Sequence, residues 1–182
     1  LTDWTMPYYP ELLEKAGFRK VMDLNMWSLH VKDRGAVHPA IFEMADAVES
    51  VHGIKVRPMN PRNLKVEIPA FVKLYNEAWK RNWAFVPIEM DQAEHMAKNL
   101  KPVLDKNWAY IAEKDGEIVG ASLTLPDWNQ VFVHIKSGRL LPFGWAKALW
   151  LKRKIDRVRV FALGVKKEYQ HAGVAAKMYA LH

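Results

Sequence analysis

The chain has 182 residues, 50% of them apolar and 12% aromatic, which is enough for one ordinary domain with a packed core. It has no cysteine, which excludes disulfides and thiolate chemistry and would leave a zinc site only His and carboxylate ligands. The formal net charge of +7 is uneven: between Arg139 and Lys167 stand nine basic residues and one acid, Asp156, a block that attracts anions such as a phosphorylated coenzyme, nucleic acid or a lipid surface.

No apolar run approaches the roughly 20 residues that span a bilayer, so no membrane span is expected. The first residues lack a charged region followed by an apolar one, so no secretory signal is expected either, and a reducing cytoplasm is the default setting.

In chain order, Pro7 to Ala16 predicts a short helix, with Pro10 in its first turn and Leu12, Leu13 and Ala16 on one face. Gly17 is a helix stop. Phe18 to Val31 reads as one or two strands, and Lys32 to Pro39 as a polar connector. Ile41, Met44, Ala45, Val48 and Val51 recur at helical spacing within Pro39 to Val51, and Gly53 ends that helix. Ile54 to Met59 reads as a strand and 60–63 as a turn.

Leu64 to Trp83 predicts a helix with Phe71, Leu74, Tyr75, Ala78 and Trp79 on one side; Pro69 marks a start or kink. An aromatic loop, Trp83 to Pro87, leads to a helix over Asp91 to Val103. Trp108 to Glu113 and Ile118 to Leu125 form a hairpin about Asp115-Gly116, a strong turn signal. Pro126 to Asp156 reads as an insertion whose helical part sets Ala146, Leu149 and Trp150 on one face, with Lys147, Lys152, Arg153 and Lys154 supplying charge. Three uses fit it: a helix packed on the sheet with a solvated basic face, the lid or wall of a ligand pocket, or a membrane-surface helix.

The most informative stretch is Arg157 to His182. Val158, Val160, Ala162 and Gly164 alternate with Arg159, Phe161, Leu163 and Val165, as in a strand. A polar turn follows, then Gln170-His171-Ala172-Gly173-Val174-Ala175, then a helical run. Strand, small-residue loop and helix in that order make an anion site, because the first N–H groups of a helix lack internal partners and the helix dipole adds positive charge. Gly173, Ala172 and Ala175 would let a phosphate approach the backbone.

This stretch resembles motif A of the GNAT acyltransferases, with Gln170, Gly173 and Ala175 in the pattern Gln/Arg-x-x-Gly-x-Gly/Ala and His171 where the family often has Gly. The resemblance implies a mixed α/β (α+β) fold, with a mostly antiparallel sheet flanked by helices. It also implies acetyl-CoA or another acyl-CoA as cosubstrate, an amine acceptor and no metal. By the same likeness the pantetheine arm would follow Leu163, Gly164 and Val165, and the diphosphate would sit on Gln170, His171, Ala172, Gly173, Val174 and Ala175.

Residues 54–182 follow the order of a GNAT domain through its central helix, with the insertion at 126–156. Residues 1–34, with Leu12 to Phe18, resemble the closing helix and strands of such a domain, and 35–53 read as a linker helix. The chain is therefore expected to hold the tail of one GNAT-like domain and the head of another, incomplete or packed in permuted order, within one chain or as a homodimer.

Catalysis needs a base for the amine, a donor to polarise the carbonyl and an acid for the leaving thiolate. In the family a strand N–H polarises the carbonyl; the matching strand is Phe161 to Val165, where a bulge would free one. Glu89 and Asp91, after the aromatic loop, are the base candidates. Glu113 and Glu117 sit at the hairpin turn and are expected to be solvated. His171 is better suited to phosphate than to proton transfer, and His134 is expected to be structural or exposed. The family's acid is a Tyr before the Gly-Phe step, where Leu13 stands; Tyr9 lies a turn earlier, beside Tyr8. Tyr75, Trp79 and Trp83 fit core packing or an acceptor wall. A non-catalytic GNAT-like module and a basic-surface binder are the alternatives. Nucleic acid ranks lowest among partners, because no array of stacking aromatics alternates with the basic residues.

Overall fold

The computed structural model describes residues 5–60, 62–100 and 105–182. The chain divides into two units, Leu1–Val37 and His38–His182. In the first, α1 (Tyr9–Lys15) has Pro10 in its opening turn and is closed by Gly17, in the left-handed region at φ +89°, with Phe18 N donating to Leu13 O. The helix buries none of its residues. The strands expected over Phe18 to Val31 do not form: 18–30 has neither helix nor strand, and a 3-10 turn, Val31–Ala36, replaces the polar connector. Alternating apolar residues make a strand only when a neighbour satisfies their backbone, and the sheet draws its four strands from elsewhere.

The second unit opens with α2 (Pro39–His52). His38 caps it by accepting from Ala40 N, Pro39 starts it, and Gly53 ends it in the left-handed region. After β1 (Lys55–Pro58) comes α3 (Leu64–Ala78), with Pro69 inside it. The proline removes one ladder bond, while Val72 and Leu74 beyond it are buried and hold the helix to the sheet. A clip follows: the Asn76 side-chain amide donates to Ile88 O and its carbonyl accepts from Ile88 N, both at 2.9 Å. It fixes the aromatic loop against α3 before α4 (Met90–Leu100) begins. The end expected for α4 at Val103 lies outside the described residues.

The strands β2 (Ala109–Lys114) and β3 (Glu117–Pro126) form the expected hairpin, with Asp115 and Gly116 both at positive φ, as a type I′ turn requires. After the insertion helices α5 (Asn129–Phe132) and α6 (Gly144–Lys152) come β4 (Val158–Val165), a 3-10 turn (Lys167–Ala172) and α7 (Val174–Leu181). Strand order is β1-β2-β3-β4, antiparallel throughout, with β4 on the edge.

Neighbouring residues of β2 point to opposite faces. Ile111 packs with Leu74 of α3 and Ala121, whereas Ala112 packs with Val48 of α2 and with Val174 and Met178 of α7. The sheet is therefore sandwiched, α3 on one face, α2 and α7 on the other. Gly173 (φ +77°) lies so close to α2 that a Cβ there would come 2.7 Å from Met44 O. Glycine is needed at this point by packing as well as by φ.

Two polar anchors pin the layers. Arg57 of β1 pairs with Glu67 of α3 at 2.9 Å and with Glu113 of β2; Glu67 is only 3% exposed. On the α7 face, His182 Nε2 lies 2.6 Å from Ser122 Oγ and 3.1 Å from Thr124 Oγ1, both buried on β3, and the ring stacks on Trp108. Burial holds the His182 imidazole below its ordinary 6.5.

Two predictions follow from these anchors. Arg57→Ala leaves a buried carboxylate unpaired and is expected to cost about 3 kcal/mol in urea unfolding, against under about 1 kcal/mol for Glu113→Ala, whose carboxylate is more exposed. For His182, the unfolded chain binds the proton more tightly than the folded one. Its share of stability is present above pH 6.5 and lost as pH falls below that value toward the folded pKa. Thermal melts should show this loss, and His182→Gln should flatten it.

Candidate functional site

The strand-to-helix stretch forms one side of a cleft. Leu163, Gly164 and Val165 line it from the end of β4, Gln170 from the 3-10 turn and Ala175 from the first turn of α7. Ala78, Trp79 and Asn82, at the end of α3 and just beyond, form the opposite side. The volume is about 290 Å³, near the lower end for ligand pockets.

Trp79 sets the floor. A Cβ on Gly164 would fall 2.0 Å from Trp79 Cη2, so the indole lies directly on the strand backbone. Tyr75 stacks on the other side of this group at 4.9 Å from Trp79 and packs against Phe85 of the clipped loop. Trp79 is thus held from behind by an aromatic row, and a side chain at position 164 would have to displace it.

The mouth of α7 opens into this region. The first helical hydrogen bond runs from Lys177 N to Gly173 O, so the N–H groups of Val174, Ala175 and Ala176 precede the ladder. Gln170 Nε2 donates to Val165 O at 3.3 Å and ties the turn to the strand end. Lys166 does not add a free cation: it is 7% exposed and pairs with Glu117 at 2.6 Å and Glu77 at 3.4 Å. The hydrogen bond that Lys166 Nζ donates to Glu117 raises the Lys166 pKa, and the same bond holds the Glu117 carboxyl below its usual range. Glu117 is exposed as expected, though paired with Lys166, whereas Glu113 is half-buried and paired with Arg57.

Of the nine residues expected to hold a coenzyme, five line the cleft: Leu163, Gly164, Val165, Gln170 and Ala175. Ala172 and Val174 point their side chains into the core with Val48 and Met178. Gly173 meets Met44, and the exposed His171 ring stands edge-on to His52 at 6.3 Å. Any contact from Ala172, Gly173 or Val174 would be through backbone.

Glu89 and Asp91 are exposed at the start of α4, where Asp91 Oδ1 accepts from Gln92 N, and neither lines the cleft. Tyr9 belongs to the first unit, where its ring meets Tyr8. His134 is exposed on the insertion, and Trp83 is exposed on the aromatic loop. Ala78 and Asn82 join the lining without any signal in the sequence beyond their distance from Trp79 along one helix end.

Along β4, the register against β3 slips: Leu123 faces Ala162 and Thr124 faces Val160, leaving Phe161 opposite no residue. This is a bulge within the expected Phe161 to Val165 segment, and it aims backbone groups away from the ladder.

No family model matches the chain. It is 33% identical over 160 residues to a protein named bacterial ceramide synthase from Caulobacter vibrioides, covering 87% of this chain and 41% of that protein. It is 31% identical over 171 residues to Protein YghO of Escherichia coli, covering 92% of this chain and 43% of that one. The chain thus spans about two-fifths of the length of the curated relatives it matches. Among solved structures, an apo form of an agmatine N-acetyltransferase mutant aligns at a TM-score of 0.39 and 17% identity, covering 70% of this chain and 68% of that one. That likeness is too slight to bear an argument.

Gly164→Ala is expected to push Trp79 out of the cleft. Overpacking at this contact should cost about 1–3 kcal/mol in urea unfolding. The spectrum of the folded core should be retained.

Proposed function

We propose that this chain is the coenzyme-binding part of a GNAT-like, acyl-CoA-dependent N-acyltransferase whose acceptor is a long-chain amine. The cleft between Trp79 and the end of β4, continuous with the mouth of α7, carries the reading. Its two sides supply what an acyl-CoA needs: a strand edge beside Leu163, Gly164 and Val165 for the pantetheine amides, and unladdered N–H groups at Ala175 for a diphosphate. The sequence likeness to a protein named ceramide synthase supports a lipid amine as acceptor.

In the reaction the amine nitrogen attacks the thioester carbonyl, a C–N bond forms and the C–S bond breaks. The nitrogen loses a proton and the coenzyme sulfur gains one, so amide and free thiol are the products. A backbone N–H at the Phe161 bulge is the donor assigned to the carbonyl oxygen. No lining residue of the cleft is titratable, so the proton is assigned to water or to a segment of the longer protein. Because the chain spans two-fifths of its relatives, turnover is proposed for the longer protein and coenzyme binding for this chain.

The same lack of titratable groups favours one other reading, a GNAT-like module that binds without turning over. A thiol-release assay of the longer protein, with acyl-CoA and sphingoid or short-chain amines, separates the two. The account expects thiol release with the long-chain amine, and protection of 170–175 from hydrogen exchange by coenzyme A. Protection without thiol release favours the binding module, and absence of both contradicts the reading.

A further inference from the structure

The insertion carries a surface that the cleft does not use. Helix α6 meets its structural need on one side only: Ala148 and Leu151 are buried against Val131 and Ile135, with Trp128 and Ile155 at the margin. The expected inner face, Ala146, Leu149 and Trp150, is instead exposed. The helix is therefore apolar on both sides while only one side is covered, unlike an ordinary surface helix, whose outer face is polar.

The exposed side is continuous with the loop before it. Phe143 and Leu141 are 80% and 77% exposed, Trp145 and Leu149 lie one turn apart on α6, and Trp150 is 59% exposed. Lone exposed apolar residues are normal, but five within ten positions form a patch of the kind that marks an interaction site.

The charge around the patch is of one sign. From Arg139 to Ile155 there are five basic residues and no acid. Lys154 Nζ sits 4.1 Å above the Trp150 ring and Lys152 Nζ 5.7 Å from the Trp128 ring, so their ammonium groups ride on aromatic faces. Lys147 donates to His134 O at 2.8 Å and braces the two insertion helices.

We propose that residues 139–154 form a peripheral membrane-binding surface that selects bilayers containing anionic phospholipid. An apolar centre of Leu, Phe and Trp enters the headgroup region, and a rim of Lys and Arg meets the phosphates. Charge complementarity decides the occupant. A nucleic acid would use the cations but leave Leu141 and Leu149 in water. A protein interface would set apolar centre against apolar centre, but its rim carries both signs more often than one. The inference stands on the insertion alone and does not depend on the coenzyme reading.

The test is flotation of the 182-residue chain with vesicles of phosphatidylcholine plus phosphatidylglycerol, and of phosphatidylcholine alone. Binding is expected to the mixed vesicles at low salt, with weak or no binding to the neutral ones. Leu141→Glu with Phe143→Glu should abolish it, since both side chains are exposed and the Ala148 and Leu151 packing is untouched. Lys152→Glu should lower partitioning about fivefold or more. Thermal melts of each variant check that the fold is intact. Failure to float with either vesicle overturns the proposal, as does binding that ignores the Leu141 and Phe143 changes. Self-association in sedimentation that is lost in Leu149→Glu, without vesicle binding, would assign the surface to a second copy and overturn it as well.

Discussion

The contact between the Trp79 indole and the backbone at Gly164 is the constraint from which the rest of the cleft follows. It brings the end of α3 onto the last strand where β4 turns toward α7. Every other lining residue sits within a turn or two of that contact. The aromatic row behind Trp79 and the Asn76 clip to Ile88 keep the indole in place. Lys166 locks the far side by joining β4 to Glu117 of β3 and Glu77 of α3. The walls are thus fixed by packing and by the buried Lys166 ammonium.

The glycines divide the labour in a way that composition alone does not reveal. Gly173 looked like a residue kept small for a phosphate, yet its α-carbon is pressed against Met44 of α2. Gly164, expected only to lie along a pantetheine arm, is pressed against the Trp79 indole and shapes the cleft. A small residue in a motif is thus no direct sign of ligand approach; the neighbour that a Cβ would strike has to be known first.

Much of the fold was legible in the sequence because local signals agreed with tertiary demand. Asp115-Gly116 dictated the hairpin, Pro39 and Gly53 bounded α2, and the run from Val158 to Leu181 gave strand, turn and helix in order. Three features were not legible. Phe18 to Val31 alternates like a strand, but alternation carries no information about a partner. The helical pattern runs on to Trp83, whereas α3 ends at Ala78. In α6 both sides are apolar, so periodicity could not say which one faces inward, and Ala148 and Leu151 won. At the site, five lining residues came from the motif and its strand, while Ala78 and Asn82 depended on how α3 crosses the sheet, a long-range fact.

The most direct test of the proposed coenzyme site is a crystal structure of the chain grown with coenzyme A. The account predicts the diphosphate within hydrogen-bonding distance of the Ala175 N–H, and the pantetheine arm running beside Leu163 and Val165, with the Trp79 indole still packed on Gly164. Coenzyme density elsewhere on the molecule, with this cleft empty at saturating ligand, would contradict it.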